Sequence, residues 1–201
     1  MFMFRYLCME GKTVHRSQLQ LVGVSAMFLA AKVEEIFAPE ISDFVYITDN
    51  AYTGEEIRHM ELKIINALNF DLCRPISLNF LRRFSKAGDV DLVQHSIAKY
   101  ILEQGLLDYS MVSYQPSHMA ASALYLSLIM TEKEVSSVWN SNLKYYSAYS
   151  TTQLMPTVKK MASMIAKADS TKLQAVRTKY SSVKFMKVAL LPQVTGVMSK
   201  L

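Results

Sequence analysis

The chain has 201 residues, of which 51% are hydrophobic and 19% charged, and its net charge is +5. So much apolar content excludes a disordered or linker-like polymer, and six glycines with five prolines are too few for the hairpins of an all-β protein. The expectation is an all-α chain of one large or two smaller domains. Cys8 and Cys73 match no metal-ligand spacing and fit two thiols in a reducing compartment, with one structural disulfide as the alternative. Met1–Gly11 lacks the apolar core and small-residue cleavage site of a secretory signal; the longest strongly apolar uncharged run, Ser17–Ala31, is too short to span a bilayer, and the longer stretch Ser110–Thr131 is broken by Gln115, Pro116, Ser117 and His118. No membrane association is expected.

In chain order, Ser17 is placed to cap a helix running to about Glu35, nearly apolar all round from Leu19 to Ala31, as a fully buried central helix would be. Pro39 opens a short helix toward Ile47. Thr53 with Glu56 forms a capping box ahead of Ile57, Met60, Ile64, Ile65 and Leu68, an apolar stripe at helical spacing. Arg74-Pro75-Ile76-Ser77 breaks the pattern, and further helices are expected at 77–86, 91–107, 117–131, 151–167 and 170–180. The expected division is 1–73, 74–190 and a tail at 191–201.

An internal repeat organises these elements. Val24-Ser-Ala-Met-Phe-Leu-Ala30 resembles Ala121-Ser-Ala-Leu-Tyr-Leu-Ser127, and Tyr52-Thr-Gly-Glu-Glu-Ile57 resembles Tyr149-Ser-Thr-Thr-Gln-Leu154. Both matches fall at one offset, which implies two similar helical units, each built on a small-residue-rich helix, joined near 71–76. Charge is uneven across the chain. Residues 159–201 hold nine Lys/Arg against Asp169 alone, whereas residues 1–158 hold thirteen basic and sixteen acidic residues. That basic end is either a solvated helix face or a surface for nucleic acid or a phosphorylated partner, and it carries no interleaved aromatic stacking pattern.

Catalytic patterns fail one by one. Gly11-Lys12-Thr13 ends like a phosphate-binding loop, but the pattern needs glycine where Tyr6 stands. His15, His59, His95 and His118 form no ligand pair, and no nucleophile-elbow or dinucleotide motif is present. No cofactor or metal is expected, and a binding or regulatory role is favoured over an enzymatic one. Two charges stand out instead. Glu61 lies about 40° around the helix from Ile57, inside the apolar stripe. Lys32 is the first charge after the apolar run, and the repeat sets Ile129 and Val158 opposite Lys32 and Glu61. A buried carboxylate must be paired. Lys32 and Glu61 either pair only with each other or with neighbouring backbone, or reach a partner over an apolar floor of Val33, Ile36, Ile65 and Phe70.

The run Leu19-Gln-Leu-Val-Gly-Val-Ser-Ala-Met-Phe-Leu-Ala-Ala-Lys-Val-Glu-Glu35 resembles the central helix of the cyclin box. Ile41-Ser-Asp-Phe-Val-Tyr-Ile-Thr-Asp-Asn-Ala-Tyr-Thr53 continues the likeness, and Phe80-Leu-Arg-Arg-Phe-Ser-Lys-Ala-Gly88 is similar to the mitotic B-type subclass. The resemblance implies tandem cyclin folds of five helices each. It also implies a non-catalytic regulatory subunit that binds and activates a mitotic cyclin-dependent serine/threonine kinase at the G2/M transition, in nucleus and cytoplasm, meeting phosphorylated substrates through that complex. Direct contact with nucleic acid is not expected. By motif, the resemblance implies kinase contacts at Lys32, Glu61, Val33, Ile36, Ile65 and Phe70. It starts inside the family's second helix, at Phe4-Arg-Tyr-Leu7, with Phe4 where Asp is usual. The expectation is therefore a first unit short of its opening helix, with Leu19 and Gln20 as remnants of a substrate-docking patch. Two other readings stay open: a truncated cyclin that binds kinase without activating it, and a cyclin-fold transcription factor, which would need a basic groove across both units.

Overall fold

The computed structural model describes residues 3, 6–7, 14–73, 75–131 and 138–196. Phe4, Arg5, Cys8, Gly11-Lys12-Thr13 and the end of the tail from 197 lie outside the described residues. Two compact units divide the chain, Met1–Arg74 and Pro75–Leu201. Every regular element among the described residues is helical.

In the first unit, α1 (Leu19–Glu34), α2 (Ile41–Ile47) and α3 (Gly54–Ala67) pack around two small clusters. Val22, Ala26 and Leu29 of α1 meet Met60, Ile64 and Leu68, while Val24, Phe28 and Ala31 meet Phe44 and Ile57. Ser17 does not cap α1. It sits in a 3₁₀ turn at Arg16–Gln18, with its hydroxyl 2.7 Å from His15 Nδ1, and α1 starts at Leu19 without a side-chain cap. Nor is α1 buried all round, because Met27 is 46% exposed in the middle of the run. The short α2 begins after Glu40, whose capping box with Asp43, rather than Pro39, sets its start. The expected box at α3 is present: Thr53 Oγ1 accepts from the Glu56 amide, and the Glu56 carboxylate accepts from the Thr53 amide at 2.8 Å. The Thr53 amide and the Thr53 hydroxyl, both donating to it, hold the exposed Glu56 carboxyl below its ordinary range.

The second unit contains α4 (Ser77–Ala87), α5 (Leu92–Gly105), α6 (Pro116–Thr131), α7 (Ser141–Ser147), α8 (Thr151–Lys167), α9 (Ala175–Tyr180) and α10 (Pro192–Thr195). Here α6 is the fully buried central helix: every residue from Met119 to Met130 is covered. Its small residues at Ala120, Ala121, Ser122 and Ala123 let α4, α5 and α8 approach closely. α7 falls outside the helices expected from the sequence; Asn140 caps it and its Leu143 is buried. Leu143 comes so close to Gly88, the residue ending α4, that a Cβ there would lie 2.9 Å from it. The expected helix at 170–180 starts five residues later. Gln174 Nε2 donates to the carbonyls of Ala168 and Thr171 at 2.9 and 2.6 Å and holds that stretch in a turn. α9 is then latched to α5, since the buried Tyr180 hydroxyl donates to Glu103 at 2.7 Å and Lys179 lies 2.8 Å from the same carboxylate.

Candidate partner-binding site

The repeat supplies the frame on which the first unit's charges are read. Ser25 of α1 and Ser122 of α6 are both fully buried, and the capping box of α3 recurs at Ser150 and Gln153 of α8. At the same offset Ile129 and Val158 are buried hydrocarbon, 1% and 0% exposed. The first unit places Lys32 and Glu61 at these positions and joins them in an ion pair between α1 and α3.

Glu61 belongs to the inward stripe of α3 with Ile57, Met60 and Ile64, and is 7% exposed. Its neighbours leave no room for bulk water, so the carboxylate is held by the ammonium of Lys32. Lys32 occupies the last turn of α1, where a cation also favours the helix terminus. Its Nζ lies 4.2 Å above the Phe28 ring, and 41% of its side chain remains in contact with solvent. The pair is therefore lopsided, with its acid inside and its base half in water. An ion pair in such a place is no better for stability than the hydrocarbon found in the second unit. Burial alone does not account for it.

Apolar residues accompany the pair along the chain, at the end of α1 and along α3 and the turn that follows it. Val33 follows Lys32 and is 40% exposed, and Ile36 beyond the helix end is 93% exposed. Ile65, one turn beyond Glu61, is half-buried against the cluster of α1 and α3. Phe70 donates its amide to the Ile65 carbonyl at 3.1 Å and is 69% exposed. Six of the residues singled out in the sequence thus lie on one helix end, one helix and the turn that follows it. Leu19 and Gln20 do not join them. They are exposed at the opposite end of α1, roughly 20 Å away at the helical rise.

The structure adds Phe37 and Leu62, 88% and 56% exposed, which the sequence reading passed over. Phe37 had a signal, as a second large apolar residue beside Ile36 in a segment closed by Pro39. Leu62 had one too, as an apolar residue off the inward stripe of α3. Among the described residues no His/Cys/Asp/Glu group is placed to hold a metal ion, and no helix is long and apolar enough to cross a membrane.

Comparison with known proteins places this chain in a family. A family model described as "Cyclin, N-terminal domain" matches residues 1–73, and one described as "Cyclin, C-terminal domain" matches residues 75–194. The chain is 51% identical over 192 residues to a "G2/mitotic-specific cyclin-B" of Marthasterias glacialis, an alignment that covers 96% of this chain and 48% of that protein. It is 50% identical over 183 residues to the protein of that name from Spisula solidissima, covering 91% and 42%. To a "G2/mitotic-specific cyclin-B2" of Gallus gallus it is 47% identical over 190 residues, covering 94% and 47%. The chain spans about half the length of these curated relatives. A viral cyclin from herpesvirus saimiri superposes with a TM-score of 0.67 at 18% identity, over 83% of this chain and 72% of that one, which speaks for the fold alone. The chain belongs to the cyclin family, with two cyclin domains in tandem.

Proposed function

We propose that this cyclin-family chain is the non-catalytic regulatory subunit of a mitotic cyclin-dependent serine/threonine kinase, which it binds through the Lys32–Glu61 pair and the apolar residues that accompany it. One observation carries the reading. A lysine–carboxylate pair joins α1 to α3, elements that also carry or lead into the exposed Val33, Ile36 and Phe70, and at the repeat positions of the pair the second unit keeps buried Ile129 and Val158. The likeness to G2/mitotic-specific cyclin-B proteins supports the choice of kinase and of the G2/M transition. Action in nucleus and cytoplasm belongs to the same proposal, as does a residual substrate-docking role for Leu19 and Gln20.

The mechanism follows from what a protein kinase lacks when inactive. Its catalytic lysine must pair with a glutamate on a mobile helix, and that helix has to swing inward. A partner that binds only the inward position shifts the equilibrium by its differential affinity, and a hundredfold preference supplies about 2.7 kcal/mol. Lys32 spends one direction on Glu61 and offers its remaining N–H groups to carbonyls of the kinase. Ile36, Ile65 and Phe70 bury apolar surface around that contact, excluding water from it.

The test is to co-purify the full chain with a mitotic cyclin-dependent kinase and to follow phosphorylation of a histone-type substrate. Stoichiometric binding with activation is expected. Absence of binding overturns the reading, and binding without activation replaces it with a kinase-sequestering role.

A further inference from the structure

We infer that the outer face of α4 and α7 in the second unit, built on Arg83, Tyr145 and Tyr146, docks a short acidic peptide segment of a partner protein. The inference goes beyond the kinase-binding reading and stands on other residues. The guanidinium of Arg83 lies over the Tyr146 ring, with Cζ 4.5 Å from the centroid. Tyr145 meets Tyr146 edge-on, their ring centroids 5.3 Å apart, so the three side chains form one continuous surface. Tyr145 is 81% exposed and Tyr146 45%. Arg83 is exposed as well, and among the described residues it forms no ion pair and no hydrogen bond.

The fold itself does not require this arrangement. Leu143 and Ser147 bury the inward side of α7 and Asn140 caps its start, so neither tyrosine is needed to seat the helix. Lys86 and Lys144 stand in the last turns of α4 and α7, where a cation favours the helix terminus, but Arg83 does not. Arg82 acts on His95 and belongs to the α5 side of α4. Together α4 and α7 carry Arg82, Arg83, Lys86 and Lys144 and no acid. The short helix of the first unit provides a contrast. α2 also buries one large apolar residue, Phe44, and exposes a tyrosine two residues on, Tyr46 at 80%. Residues 33–57 around it hold seven acids and no Lys or Arg. An exposed tyrosine is thus common to both short helices, and the surrounding charge decides what each can meet.

A guanidinium seated on a ring is positioned before its partner arrives, and its N–H groups match a carboxylate through two parallel hydrogen bonds. Beside it Tyr145 offers broad amphipathic area with few rotatable bonds to order, suited to an aromatic or aliphatic residue next to that carboxylate. A nucleic-acid strand is the poorer match, because it needs cations spaced along a groove and ring faces open to bases. Here Arg83 covers one face of Tyr146 and Tyr145 abuts it.

The full chain, immobilised, is used to select from a displayed library of random short peptides, and the selected peptides are titrated by fluorescence anisotropy. They should combine Asp or Glu with a neighbouring aromatic or aliphatic residue, and bind more weakly as salt rises. Arg83→Gln and Tyr145→Ala should each lower affinity by about tenfold or more. Tyr146→Phe keeps a ring beneath the guanidinium and should stay within about threefold. Every substituted side chain is exposed, so circular dichroism should show unchanged helicity. If no peptide is selected, if the selected peptides lack carboxylates, or if Arg83→Gln or Tyr145→Ala binds them as the unmodified chain does, the inference falls. It also falls if single-stranded DNA binds in an Arg83-dependent manner and peptides do not compete. Self-association in sedimentation that Arg83→Gln abolishes and peptides leave intact would assign the face to a second copy instead. The kinase reading is untouched by any of these results.

Discussion

Removing Lys32 should damage this protein more than replacing the acid it covers. In Lys32→Ala the Glu61 carboxylate, only 7% exposed, loses its cation and cannot turn to water. Breaking one side of a fully buried pair costs roughly 3–5 kcal/mol and of an exposed pair roughly 0–1 kcal/mol. Lys32 keeps 41% of its side chain in solvent against 9% for Glu61, so the expected loss lies between, about 2 kcal/mol. Glu61→Leu removes the carboxylate together with its need for a partner and frees Lys32 to hydrate. Since the second unit carries Val158 at this place, that variant should unfold within about 1 kcal/mol of the unmodified chain. The double variant should then be more stable than Lys32→Ala alone. Urea unfolding of the four chains, read as a double-mutant cycle, measures the coupling. Equal losses in the two single variants with additive effects in the double would refute the account of a lopsided buried pair. Binding separates from stability in the same set: all three variants should lose at least tenfold in affinity for the kinase, including the one that folds normally.

Other consequences can be checked on the same preparation. Ser25 Oγ donates to the Ile57 carbonyl at 3.3 Å, whereas its repeat partner Ser122 has a buried hydroxyl with no hydrogen-bond partner among the described residues. Ser25→Ala should therefore cost about 1 kcal/mol and Ser122→Ala should be neutral or stabilising, as read by denaturant midpoints. Tyr180→Phe removes the 2.7 Å bond to Glu103 and should cost about 1–1.5 kcal/mol, with faster amide exchange along α9. His95 is held below its ordinary pKa by burial, with Lys99 and Arg82 adding to the effect, so the folded state binds its proton less readily than the unfolded chain. Stability from this group is complete above the unfolded value of 6.5 and is lost as pH falls through the lower folded value. His95→Gln should flatten that acid-side slope in urea titrations between pH 7 and 5. The exposed Ile36 and Phe37 should bind a hydrophobic dye in the free chain, and Ile36→Ser with Phe37→Ser should abolish most of the signal.

Local chemistry was easiest to read where neighbouring residues complete one another's hydrogen bonds. Thr53 with Glu56 met every requirement of an N-terminal cap within four residues, and the helix starts where that pair says it does. Ser17 misled because its hydroxyl has a competing local partner in His15, a choice made by three-dimensional distance rather than by residue type. The helix at Ser141–Ser147 has no long apolar periodicity to announce it, because seven residues with a single buried leucine carry little of it. The 97-residue offset, applied to Ile41–Ile47, would have placed a helix within three residues of it. Phe37 and Leu62 were passed over because apolar residues are assumed to face a core until an exposed surface is seen.

By itself the sequence settled the helical class, the doubling of the unit and the family, since these rest on periodicity, repetition and motif, all of which are local or additive along the chain. It also singled out Lys32 and Glu61 as charges in apolar surroundings. Tertiary structure alone decided that they meet, that the acid is enclosed while the base reaches water, and that Phe70 stands exposed in a left-handed turn. Pairing, exposure and backbone conformation depend on which helices close over which side chains, and that is set by packing between elements rather than by any residue's own preference.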